Sequence, residues 1–134
     1  MKDDIKTIIN ELGHIVGTIN EFDELEVKIA KLTDNELATL KAYIADEFNG
    51  KCNIRIDDVT YAISQLSTAH LYPDIKTPAD FGRFMAHGLG MVDLDENFRE
   101  FFDYEKYAES LKGWYVGRFT KDGFIWGEIN PLPF

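Results

Sequence analysis

Apolar residues recur along this chain at helical spacing, and the gaps between the stripes carry the residues that start and stop helices. Ile5, Ile8, Ile9 and Leu12 fall at i, i+3, i+4 and i+7, with Asp3 or Asp4 as N-cap and Gly13 as a left-handed stop. Phe22, Leu25, Ile29 and Leu32 form the next stripe, where Asp23 and Glu26 are spaced as a capping box and Glu24 stands four residues before Lys28. Thr33 then caps a third helix. Glu36 is its N3 residue, Leu32 and Leu37 bracket the cap as a hydrophobic staple, and Leu37, Leu40, Ile44 and Phe48 carry its core face to a stop at Asn49-Gly50. Asp57 caps a fourth helix with Val59, Ala62, Ile63 and Leu66 on one side. Thr77 as N-cap and Pro78 at N1 start a fifth, with Phe81, Phe84 and Met85 apolar and Gly88 and Gly90 at its end.

Between these helices the pattern is less decided. His14 to Asn20 is β-branched but interrupted by Gly17, and Lys51 to Ile56 reads as a short strand or an extended link. Ala69 to Tyr72 is extended, because Pro73 forbids a helix there, and Pro73 to Pro78 is the best place for a domain boundary. Near the C-terminus, Trp114 to Thr120 alternates in size, Asp122-Gly123 is a hairpin signal, and Phe124 to Ile129 returns. The tail PLPF cannot continue a central strand. The expectation is an α+β chain of mostly short amphipathic helices with a small C-terminal hairpin or antiparallel sheet. Its parts are a short helix and link over residues 1–20, a small helical domain over 21–74 and an α+β domain over 75–134.

The stretch from Asp93 to Lys112 (DLDENFREFFDYEKYAESLK) is unusually rich in acids. Two amphipathic helices fit it end to end. Leu94, Phe98, Phe101 and Phe102 make the apolar stripe of the first; Tyr104, Tyr107, Ala108 and Leu111 make that of the second. The opposite face carries Asp93, Asp95, Glu96, Glu100, Asp103, Glu105 and Glu109 against Arg99, Lys106 and Lys112, a net −4 of the chain's −10. On an α-helix Glu96, Glu100 and Asp103 form one row at i, i+4 and i+7, with carboxylates about 6 Å apart. Such like-charge pairs cost a few tenths of a kcal/mol each. The row is either an ordinary solvated face on an acidic protein or an anionic surface meant for a cationic partner.

The totals narrow the classes. The 134 residues hold 24 acids and 14 bases, and a net charge of −10 opposes direct binding to nucleic acid or an anionic membrane, both polyanions. A 45% apolar and 13% aromatic content supports a packed core. No apolar run approaches the ~18–20 residues that span a bilayer, and MKDDIKTII lacks the regions of a signal peptide. The single cysteine, Cys52, cannot form an internal disulfide, which fits a reducing cytoplasm. His14, His70, His87 and Cys52 match no zinc spacing, Gly88 and Gly90 lack the lysine and strand of a phosphate loop, and no G-x-S-x-G is present. Carboxylate pairs are plentiful but lie on polar helix faces, whereas catalytic pairs need burial to separate their pKa values. No enzyme and no cofactor are expected.

The run FFDYEKYAESL, preceded by DFGRFMAHGLG and followed by an aromatic hairpin, resembles the C-terminal part of the ArdA-type antirestriction proteins. A weaker similarity extends over DELEVKIAKLTDNELATLKAYI, with the family's N-terminal domain shortened or missing. These small acidic proteins of plasmids, transposons and phages imitate bent B-form DNA and occupy the DNA-binding cleft of type I restriction–modification enzymes. The resemblance implies an elongated homodimer whose partner is the methyltransferase and specificity core of such an enzyme. It places the antirestriction motif on Phe102 to Tyr107, with Phe102, Tyr104 and Tyr107 as its aromatics. The acids from Asp93 to Glu109 are then the DNA-like surface, with Asp34, Glu36, Asp46, Glu47, Asp57 and Asp58 as further candidates. The alternative is a non-catalytic interaction or dimerisation module that meets a basic partner through its aromatic residues. Those after Asp80 exceed what some 60 residues easily bury.

Overall fold

The computed structural model describes residues 5–49, 53–93, 95–113 and 115–131. The caps expected at Asp3 or Asp4, the stop at Gly50, the cysteine Cys52, the stripe residue Leu94, the hairpin residue Trp114 and the tail from Leu132 lie outside them. Among the described residues the fold is α+β: short helices and a three-stranded antiparallel sheet near the C-terminus.

Helix α1 (Ile5–Leu12) buries Ile8, Ile9 and Leu12, as its spacing requires. Strand β1 (Ile15–Val16) and strand β2 (Ile54–Arg55) settle the two undecided stretches by pairing in parallel, Ile15 opposite Ile54. Helix α2 (Ile19–Ala30) starts earlier than Asp23. Its N-cap is Thr18, whose hydroxyl accepts from the Glu21 amide at 3.2 Å while the Glu21 carboxylate accepts from the Thr18 amide at 2.9 Å. Two T-x-x-E boxes thus open α2 and α3 (Asp34–Glu47); the second joins Thr33 and Glu36 as expected. Helix α4 (Ile56–Ser64) begins one residue before Asp57. Asp58, not Asp57, serves the cap by accepting from the Arg55 amide and guanidinium.

Strand β3 (His70–Tyr72), on the N-terminal side of Pro73, pairs antiparallel with β5 (Gly123–Trp126), which pairs with β4 (Gly117–Thr120). The Pro73–Pro78 link is therefore crossed by a sheet with strands from both sides. Side chains alternate across this sheet. Leu71 and Ile125 face the core built by α1 to α4, which also takes in Ile129. Tyr72, Phe124 and Trp126 face a second cluster of Ile75, Phe81, Met85, Ala108 and Leu111. The sheet is the partition between two cores. At the hairpin, Thr120 pairs with Gly123, so the two-residue turn is Lys121-Asp122 and Gly123 opens the returning strand at φ 136°.

The exposed edge of β3 is closed by α3. Thr39, fully buried, accepts from the Leu71 amide at 3.1 Å and donates to the Asn35 carbonyl at 2.7 Å, while the Asn35 amide donates to the Leu71 carbonyl at 3.0 Å. Both outward backbone groups of Leu71 are satisfied by side chains, leaving that position no free template for another strand.

Candidate functional site: the acidic stretch

Two short helices carry most of Asp93 to Glu109, and a third before them supports them. Helix α5 (Pro78–Arg83), capped by Thr77 with Pro78 at its first position, runs into a π-helical turn, Phe84–Gly88. A 3-10 helix follows over Glu96–Phe101, then helix α6 (Tyr104–Ser110). Helices α5 and α6 approach closely because residue 82 is glycine: a Cβ there would run into the Tyr104 carbonyl.

The expected first amphipathic α-helix is a 3-10 helix that buries none of its residues. Asp95 caps it, accepting from the Asn97 amide at 2.9 Å, and Asp103 caps α6, accepting from the Lys106 amide at 3.0 Å. Phe102 between them is extended (ψ 129°). Two caps eight residues apart leave room for fewer than two turns of α-helix, and a short helix without a packed face lacks the tertiary support that favours the α form. The row of Glu96, Glu100 and Asp103 is broken as a result. Three residues per turn set Glu96 in line with Arg99, and turn Glu100 about 120° away and roughly 8 Å along the axis. The apolar stripe is broken too: Phe98 and Phe101 are 60% and 77% exposed.

Helix α6 follows its pattern. Tyr104, Ala108 and Leu111 are buried, Tyr107 is half-buried, and Glu105 and Glu109 face outward. The motif aromatics are its foundation. Tyr104 Oη lies 2.5 Å from His87 Nε2, and the Arg83 guanidinium sits 4.7 Å over the Tyr104 ring. The Phe102 ring packs 4.9 Å from Tyr104 and 5.6 Å from Tyr107. The sequence pattern missed His87 and Arg83 as partners of Tyr104; their only sign was a cation and an imidazole on the preceding helix.

All seven acids, Asp93, Asp95, Glu96, Glu100, Asp103, Glu105 and Glu109, are exposed. Among the described residues none of them forms an ion pair. The six further candidates differ. Asp46 and Glu47 are held by Arg118 at 3.0 and 3.9 Å, and Asp58 by Arg55 at 3.2 Å. Glu36 is committed to its capping box, while Asp34 and Asp57 are exposed at the starts of α3 and α4. Near Asp46 and Glu47, burial and then the Glu47 charge push the Tyr43 hydroxyl up to about 12.

No group of His, Cys, Asp or Glu that could hold a metal ion occurs among the described residues. A groove of about 450 Å³ beside β3 is lined by His70, Tyr72, Phe84 and Trp126 among others, and none of the acids is in its lining. Among the described residues no helix is long and apolar enough to cross a membrane. The chain matches no family model and no curated protein.

Proposed function

We propose that this chain is an acidic DNA mimic that inhibits type I restriction–modification enzymes by occupying their DNA-binding cleft in the cytoplasm, without catalysis or cofactor. The observation that carries the reading is the contrast between two sets of carboxylates. Asp46, Glu47, Asp58 and Asp80 are neutralised within the fold, whereas the seven from Asp93 to Glu109 are exposed and, among the described residues, form no ion pair. A groove that reads DNA is lined with Lys and Arg, against a duplex carrying one negative charge per ~1.7 Å of axis. Carboxylates on short helices offer that groove negative charge with no phosphodiester to cut and no base to read. Association is driven by release of the partner's counter-ions and by long-range steering. The resemblance of Phe102 to Tyr107 and its flanks to ArdA-type proteins supplies the identity of the target, and with it a homodimer; the charge supplies only the sign of the partner.

A second reading, a plain interaction or dimerisation module, is favoured by exposed Leu89, Met91, Phe98 and Phe101. Salt separates the two, because a charge mimic loses affinity steeply with ionic strength and an apolar interface does not. The test in cells is transfer of unmodified phage or plasmid into a host with a type I system, with and without this protein. The proposal expects restriction to be relieved; unchanged restriction in the presence of folded protein contradicts it.

A further inference from the structure

We propose that the 3-10 helix Glu96–Phe101 is an arginine-binding surface, where Phe98 and Phe101 receive guanidinium groups on their ring faces while neighbouring carboxylates accept the N–H donors. The inference rests on reading the acidic stretch as a surface for a cationic partner, and it names which cation that partner presents. The 3-10 geometry carries it. At three residues per turn, residues i and i+3 eclipse, so Phe98 and Phe101 stand side by side on one edge. They are 60% and 77% exposed, and neither ring meets another ring or a cation among the described residues. Asp95, Glu96 and Glu100 border them, exposed and, among the described residues, without an ion pair.

Among the described residues the same constellation occurs twice in completed form. The Arg83 guanidinium lies 4.7 Å over the Tyr104 ring and reaches Asp80 at 3.5 Å. The Arg118 guanidinium lies 5.0 Å over the Tyr43 ring and reaches Asp46 at 3.0 Å. In each, an arginine is shared between an aromatic face and a carboxylate. At the 3-10 helix the rings and carboxylates are present, and among the described residues no guanidinium, that of Arg99 included, stacks on those rings or pairs with those carboxylates. Arginine suits the position better than lysine, because its planar, weakly hydrated head can stack on a ring while its edge N–H groups remain free for carboxylates. A second copy of the chain is disfavoured as occupant. Two such edges would bring Asp95, Glu96 and Glu100 of each copy together, with Arg99 alone in each to offset them.

The test titrates an oligoarginine and an oligolysine of equal length into the full chain. Variants are Phe98→Leu/Phe101→Leu, which keeps apolar bulk and removes the ring faces, and Asp95→Asn/Glu96→Gln/Glu100→Gln. All these positions are exposed, and asparagine remains a good N-cap; matching circular dichroism establishes that each variant is folded. The parent is expected to prefer oligoarginine by about fivefold or more. The leucine variant should bind oligoarginine only as well as oligolysine, with oligolysine affinity unchanged. A parent that binds both peptides equally, or a leucine variant that keeps the preference, overturns the arginine surface. An amide variant that binds both peptides as tightly as the parent removes the acidic-surface reading beneath it, a separate failure. A concentration-dependent dimer in sedimentation that the leucine variant abolishes assigns the face to a second copy and overturns the proposal as well.

Discussion

Replacing Thr39 with valine keeps the shape of the side chain and removes the hydroxyl that joins α3 to the edge of β3. The Leu71 amide is then buried without its partner, so Thr39→Val should cost about 1–3 kcal/mol in urea unfolding, whereas Thr39→Ser should recover most of it. A loss no larger than that of an exposed Thr→Val control would show that the bond is replaced by water. Tyr43 gives a second test at this scale. Its folded hydroxyl titrates at about 12, above the ordinary value of 10.0, so the unfolded chain loses that proton first as pH rises. The neutral ring's contribution is complete below pH 10 and is lost between about 10 and 12, on the order of 2 kcal/mol. Unfolding followed across that window should show stability falling with pH. Tyr43→Phe should flatten the fall, although Tyr115, also raised by burial, leaves a residue of it. An identical slope in the phenylalanine variant would contradict the assignment.

Helices α1, α3, α5 and α6 could be read from the sequence because a periodic apolar face specifies each, joined in α3 and α5 by the expected cap. Thr33, Thr77 and Pro78 do what their positions imply. The start of α2 was written just as plainly, in Thr18 and Glu21, but Asp23 and Glu26 offered a competing box of the same spacing and only packing chooses between them. The pairing of β1 with β2, and of β3 with β5, was not legible. Those partners lie about forty and about fifty-five residues apart, and nothing in so few residues of strand names the other side. The candidate site divides in the same way. In α6, burial of Tyr104 and Leu111 holds Glu105 and Glu109 outward, as the pattern requires. In Glu96–Phe101 the stripe spacing was right for an α-helix that has no surface to pack on, so the segment tightens and exposes its phenylalanines. At this scale Gly82→Ala is the informative change. Its methyl has no space against the Tyr104 carbonyl, so α5 and α6 must separate; a cost of about 1–3 kcal/mol is expected, with lost protection of α6 amides in hydrogen exchange. Unaltered exchange would mean that the two helices adjust without parting.

Across the whole molecule, the sheet between two cores fixes α5 and α6 on the side away from α1 to α4, and the exposed acids of Asp93 to Glu109 lie on α6 and on the segment that joins it to α5. Charge spread over so many exposed groups acts as a field rather than as a set of private contacts. Glu100→Gln alone should therefore leave inhibition nearly unchanged, since one exposed charge contact is worth about 0–1 kcal/mol. Replacing Glu96, Glu100, Asp103, Glu105 and Glu109 together with their amides should add those losses while relieving like-charge repulsion, so the variant stays folded. Asparagine at 103 keeps a capping side chain for α6. The decisive measurement is binding of the parent and of this five-fold variant to a type I methyltransferase core from low to moderate salt. Weaker binding by the variant is expected, with a salt dependence shallower by roughly one unit of slope per neutralised contact. A folded variant that binds as tightly as the parent, with the same salt slope, would contradict it and leave this stretch an ordinary solvated face.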